Sequence, residues 1–206
     1  MKKSEVTQEK IRKAMKAKGY KWFRDDSSVG YDVNIVGIRN DDTGGKVTNE
    51  FDDFLTISYK NESGNWQFHC WRATTDPGTY WMEHPSNTDG CAILVPGQYR
   101  SSHKIRLHAG KYPALGQQKP VKVYRDGNLD DVYDTDEEAI KEGIYGINIH
   151  RSNPHTESYY VNKWSAGCQV FKKIRNFDDF MGICYKAKDI WGNSFTYTLL
   201  NSNDLI

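Results

Sequence analysis

Apolar and polar positions alternate with a period of two over most of this chain and follow a helical spacing at only two places. Tyr31–Ile38, Phe51–Lys60, Trp66–Arg72, Val121–Asp126 and Ser194–Leu200 place apolar residues at or near every second position, and Cys91–Val95 is a short continuous apolar run. Such patterns predict strands with one or both faces buried. The link Asn61–Asn65 (N-E-S-G-N) predicts a hairpin between its flanking strands, and Asn40–Gly45, ending in two glycines, predicts a turn. Helical spacing occurs over residues 5–19, where Ile11, Ala14, Met15 and Ala17 form a stripe opposite Lys and Arg residues and Gly19 acts as a stop. It recurs over Phe177–Trp191, where Phe180, Ile183, Cys184 and Ala187 share a face. Asn176 is the expected cap of that helix, with Asp178 and Asp179 in its first turn. Residues 24–30 read as a loop. The pattern predicts a mainly β domain of about eight to eleven short strands with an N-terminal and a C-terminal helix. The expected division is an N-terminal helical segment, 1–30, and a β-rich domain, 31–206.

Charge and composition narrow the function classes. The 206 residues carry 28 basic and 27 acidic side chains, a net charge of +1, which gives no electrostatic ground for nucleic-acid binding. Aromatic residues make up 13% of the chain and supply packing area that a 37% hydrophobic content would otherwise lack. No run reaches the length of a membrane span. Met1-Lys2-Lys3 is followed by polar residues rather than an apolar segment, so the expectation is synthesis in the cytoplasm without a signal peptide. The four cysteines, Cys70, Cys91, Cys168 and Cys184, form no Cys-x-x-Cys pair, so free thiols and no structural metal are expected. The acidic stretch from Asp130 lacks the regular ligand spacing of a calcium loop and reads as solvated surface.

The candidate chemistry is concentrated between Gly146 and Phe171. His150 ends an alternating run, Tyr145–His150, and Cys168 follows 18 positions later within Ser165-Ala166-Gly167-Cys168. A thiol and an imidazole delivered by neighbouring elements suffice for nucleophilic catalysis, since the thiolate attacks and the imidazole takes and returns the proton. Cysteines more often simply pack in a core. Here the flanking Gly167 permits a backbone angle that lets the amides of Ser165–Cys168 face a developing oxyanion. The polar and aromatic loop Arg151–Asn162, with Tyr159 and Tyr160, is long enough to be functional. Two further histidines, His103 and His108, lie five apart and so on opposite faces of a strand, which argues against a shared metal site.

This His-then-Ser-x-Gly-Cys arrangement resembles the signature of the L,D-transpeptidase (YkuD-like) family, whose members are cysteine enzymes acting on the peptide stems of bacterial peptidoglycan. The chain differs from the usual pattern at Ala166, where the family has a second histidine, at Val170, where it often has arginine, and at Arg151, where a small residue commonly follows the histidine. The resemblance implies Cys168 as nucleophile, His150 as base, and backbone N–H groups around Ser165, Ala166 and Gly167 as the oxyanion site. It also implies a Gly/Pro/Thr-rich loop close to the groove, a part that Asp76-Pro77-Gly78 could play or could fill as a plain turn. Asn148, on the same strand face as His150, and a backbone carbonyl are both candidates for orienting the imidazole. Arg151, His108 and Arg125 are candidates for holding a stem carboxylate. The implied activity is acyl transfer to water or to an amine, with no cofactor, on bacterial peptidoglycan as the partner. Without a signal peptide, the expected context is a phage lytic enzyme or a delivered effector that reaches the wall after release or delivery. The alternatives are a cysteine peptidase or amidase using the same pair on a different substrate, and a non-catalytic wall-binding or virion structural module on the same fold.

Overall fold

The computed structural model describes residues 1–23, 29–130 and 132–205. Most of the loop expected over 24–30 and Asp131 of the acidic stretch therefore lie outside the described residues. Along the chain the elements are α1 (Gln8–Ala17), β1 (Asn34–Arg39), β2 (Asp53–Lys60), β3 (Trp66–Thr74), α2 (Thr79–Glu83), β4 (Cys91–Leu94), β5 (Gly97–His108), β6 (Tyr112–Gln117), β7 (Val121–Asp126), β8 (Lys141–Gly143), β9 (Ile149–Arg151), β10 (Gln169–Phe171), α3 (Ile174–Trp191) and β11 (Phe195–Asn201). The protein is mainly β, with an N-terminal and a C-terminal helix.

Eight strands close into a barrel in the order β1-β11-β5-β6-β9-β10-β3-β2, and β4-β7-β8 form a separate small sheet. Closure means that no strand of the barrel stands at its edge, whereas β4 and β8 are the edges of the small sheet. The β1/β11 and β9/β10 pairs are parallel. The period of two sorts the side chains between two cores. Ile35, Leu55, Ile57, Tyr59, Trp71, Ala73, Phe195, Tyr197 and Leu199 join the main cluster, to which α3 adds Phe177, Phe180, Met181, Ile183, Cys184 and Ala187. Their alternates Val36, Ile38, Phe54, Cys70 and Leu200 form a second cluster, covered by Ile11, Ala14 and Met15 of α1. Coverage on both faces explains why every residue of β1 is buried.

Local chemistry sets the helix ends. Thr7 caps α1 by accepting from Lys10 N–H, and Gly19 ends it at φ +71°. The second long helix starts earlier than the sequence suggests. Its N-cap is Lys173, which makes no side-chain cap, so Asn176, Asp178 and Asp179 all lie inside α3. Burial of Phe177 against Phe171 and Tyr112 outweighs the capping signal at Asn176.

The barrel is thinnest where β9 and β10 enter it. Each has three residues, and β9 meets β6 through a single registered pair, Leu115↔Ile149. The strand expected over Tyr145–His150 is short because its first half leaves the ladder. Tyr145 N–H and Ile147 N–H donate instead to the side-chain Oε1 of Gln117, at 3.1 and 2.9 Å.

Candidate active site

The two chemical residues come together through β9 and β10. These strands run parallel with Val170 opposite His150, and Gln169 N–H donates to Asn148 carbonyl at 2.8 Å. Alternation turns Gln169 and Phe171 toward the interior, whereas Cys168 and Val170 pack on the other face with Phe51 and Val161. Cys168 and His150 thereby open into one groove of about 500 Å³, lined also by Trp81, Tyr112, Arg151 and Trp164.

His150 is 4% exposed. Its Nδ1 lies 2.8 Å from the carbonyl of Arg151, which can only accept, so Nδ1 carries the proton and Nε2 is left as the base. Tyr112 Oη donates to the same carbonyl at 3.4 Å. The orienting group is therefore a backbone carbonyl. Asn148 does different work: its Oδ1 accepts from Gln117 N–H at 2.9 Å, and its Nδ2 lies 3.5 Å from His108 Nδ1.

Burial keeps the pair neutral. The imidazole of His150 is pushed down to about 3, mainly by burial and then by His108 and Arg151 beside it. Burial pushes the Cys168 thiol up to about 11, with the Asn148 N–H acting the other way. At rest the thiol donates to Gly146 carbonyl at 3.2 Å and Sγ accepts from Asn148 N–H at 3.5 Å. A buried thiolate–imidazolium pair is disfavoured here.

The Ser165 loop is held from several sides. Ser165 is fully buried; its Oγ donates to Cys168 carbonyl at 2.7 Å and accepts from Gly167 N–H at 3.1 Å. Its carbonyl accepts from Gly78 N–H at 2.9 Å, so the Asp76–Gly78 loop braces the cysteine loop. Gly167 sits at φ +115°, and a Cβ there would run into the carbonyl of Ala92 in β4. Glycine is required at 167 for both reasons. Of the amides from Ser165 to Cys168, that of Gly167 is committed to Ser165 Oγ, and those of Ser165, Ala166 and Cys168 have no acceptor among the described residues. Gly167 N–H is thus occupied at rest, whereas the N–H groups of Ser165, Ala166 and Cys168 are left to donate elsewhere.

The remaining candidates separate. His108 stacks on His150 and lines the groove. Arg151 lines it too, over the ring of Tyr112 at 4.0 Å. Arg125 does not: it lies over Tyr145 and donates to Gly90 carbonyl. His103 is buried between Ser102 Oγ and Ile147 carbonyl, away from the groove. Residues that the sequence reading passed over include Lys111, Tyr112, Trp81, Lys163 and Trp164. Lys111, Arg151 and Lys163 make the groove cationic, and none of its described lining residues is acidic. Cys70, Cys91 and Cys184 are buried free thiols. Among the described residues no helix is long and apolar enough to cross a membrane, and no cluster of three or more His, Cys, Asp or Glu could hold a metal ion. Comparison with models of known protein families, with curated proteins and with solved structures finds no match to this chain.

Proposed function

We propose that this protein is a cysteine-dependent acyl-transfer enzyme acting on peptidoglycan stem peptides, as hydrolase or transpeptidase. The observation that carries the reading is the shared groove of Cys168 and His150, with the imidazole tautomer set so that Nε2 is the base. The resemblance of His150 and Ser165–Cys168 to the L,D-transpeptidase signature supplies the substrate class. In the reaction Sγ attacks the stem carbonyl while the thiol proton passes to His150 Nε2. The oxyanion is held by the free N–H groups of the cysteine loop, and the leaving amine takes the proton from His150 as the thioester forms. Water or an acceptor amine then resolves the thioester. The cationic groove suits a substrate that carries carboxylates, as stem peptides do. Exposed Trp164 and the aromatic Trp81 and Tyr112 offer apolar walls for its backbone and side chains. The proposal includes action on the cell wall, as a phage lytic enzyme or a delivered effector.

One observation favours a second reading. The resting thiol donates to Gly146 carbonyl, a contact that a packing cysteine would also make. The alternative is a non-catalytic wall-binding or virion module. Digestion of purified sacculi with wild type and Cys168→Ala, read by mass spectrometry of released muropeptides, decides between them. New or altered cross-links from wild type alone support the enzyme, and binding of both proteins without any product supports the module.

A further inference from the structure

Gln169 is a polar side chain where the strand pattern calls for an apolar one. It is 0% exposed, next to the proposed nucleophile, and points with Phe171 into the barrel rather than the groove. A buried amide must have its donors and acceptor satisfied. Its Oε1 accepts from Tyr197 Oη at 2.6 Å. Its Nε2 donates to Gly167 carbonyl at 3.1 Å and to Thr75 carbonyl at 3.3 Å. Thr75 is fixed in turn, because its N–H and hydroxyl both donate to Asp53 Oδ2, at 2.6 and 2.9 Å.

The bond to Gly167 has a geometric consequence for the site. Gly167 C=O and Cys168 N–H belong to one planar trans peptide and point in opposite directions. Drawing that carbonyl toward the interior turns Cys168 N–H outward, away from the barrel. The backbone groups directly flanking this peptide are already tied. Gly167 N–H goes to Ser165 Oγ, Cys168 carbonyl accepts from Ser165 Oγ, and Gln169 N–H goes to Asn148 carbonyl. Among Gly167, Cys168 and Gln169 the amide left over is that of the proposed nucleophile, and it stays within reach of whatever carbonyl Sγ attacks.

We propose that Gln169 is a positioning residue for acyl transfer: by holding Gly167 carbonyl from inside the barrel it presents Cys168 N–H as an oxyanion donor. This rests on the acyl-transfer reading above. Serine in the preceding loop and glutamine inside the barrel then divide the task. Ser165 shapes the loop, and Gln169 sets the rotation of one peptide plane. At Gly167 the free φ +115° is needed so that this plane can adopt the rotation at all.

The test separates chemistry that builds an oxyanion from chemistry that does not. With p-nitrophenyl acetate, Sγ attacks the ester carbonyl, the thiol proton passes to His150, and the C–O bond breaks to release p-nitrophenolate, leaving acetyl on Cys168. Iodoacetamide alkylates the same sulfur by displacing iodide, with no oxyanion. Gln169→Met keeps the volume and removes the donor. The expected result is acetylation of Cys168 slowed roughly tenfold to a hundredfold, with alkylation within about twofold of wild type. Tyr197→Phe, which loosens the amide without removing it, should give a smaller loss in the same direction, and it carries the test if Gln169→Met does not fold. Equal acetylation in wild type and both variants overturns the proposal, as does a parallel fall in both reactions, which would mean displacement of the whole loop. Failure of wild type itself to be acetylated at Cys168 overturns the acyl-transfer reading, and this inference with it.

Discussion

His108 lies flat on His150, with ring centroids 4.1 Å apart and 21° between the planes. Two imidazoles at that distance cannot both hold a proton without strong repulsion, and both are pushed below the usual histidine range by burial first. His108 is itself held by Asn148 Nδ2 at 3.5 Å. The stack therefore does two jobs. It fixes the plane of the His150 ring from the side that the Arg151 carbonyl does not reach, and it keeps that ring unprotonated.

The first consequence concerns the thiol. With the imidazole neutral and the thiol pushed up to about 11, Cys168 holds little thiolate near neutral pH. Its alkylation by iodoacetamide should climb about tenfold per pH unit from about pH 6 to about pH 10, without a plateau near neutrality. Peptide mapping isolates the signal, since the buried thiols of Cys70 and Cys91 are pushed higher still, to about 12. A plateau below about pH 7 would show a preformed thiolate–imidazolium pair and contradict the neutral-pair mechanism.

A second prediction concerns acid stability. His103 is pushed down to about 4 and His150 to about 3, mostly by burial, so the unfolded chain binds protons that the folded one refuses. Each histidine contributes stability that is fully present above about pH 6.5 and is lost as pH falls toward its folded value, at ~1.4 kcal/mol per pH unit. The raised carboxyls of Asp53 and Asp76, buried first of all, act in the opposite sense at acid pH. His103→Gln should therefore flatten the loss of thermal stability between about pH 6.5 and about pH 4. An unchanged slope would contradict the burial argument for His103.

Sequence legibility followed the range of the interactions involved. The β2–β3 hairpin could be read because its pattern and its Asn61–Asn65 turn are local, and the structure pairs Lys60 with Trp66 as that turn requires. The buried stripe of α3 was equally legible in Phe180, Ile183, Cys184 and Ala187. Non-local pairing was not. Nothing in Cys91–Leu94 tells that it joins β7 in a separate sheet, or that its Ala92 carbonyl will leave room only for glycine at 167. His150 and Cys168 stood out because their chemistry is rare and closely spaced. Lys111 and Tyr112, and Trp81, reach the groove from two other segments and carry no signal of their own, nor does Lys163 within the stretch between His150 and Cys168. For Gln169 a signal did exist: an amide at an inward strand position needs partners, and the structure supplies them in Gly167 carbonyl and Tyr197 Oη.

Two glycines beside the site should respond very differently to alanine. Gly146 sits at φ +75° with open space around an added Cβ, so Gly146→Ala should cost about 1 kcal/mol. At Gly167 the backbone of Ala92 stands in the way, and Gly167→Ala should cost about 3 kcal/mol or more. Chemical denaturation of both variants measures the gap. Equal costs would mean that β4 does not pack on the cysteine loop as described.

The cationic groove makes a kinetic prediction. On the proposed reading, Lys111, Arg151 and Lys163 would attract the carboxylates of a stem peptide over a Debye length of about 10 Å at moderate salt. For a stem peptide bearing free carboxylates, kcat/KM should fall with ionic strength. In a Lys111→Ala/Lys163→Ala variant it should start lower and fall less. A wild-type rate insensitive to salt would remove these side chains from substrate recognition.

The most direct test of the account is the covalent intermediate itself. Wild type mixed with a purified stem peptide and quenched in acid should carry an adduct equal to the donor minus its leaving amine, mapped to Cys168. The adduct should be absent in Cys168→Ala and should form at least about a hundredfold more slowly in His150→Ala. No adduct with any stem peptide, or an adduct on another residue, would contradict the assignment of Cys168 and His150 as nucleophile and base.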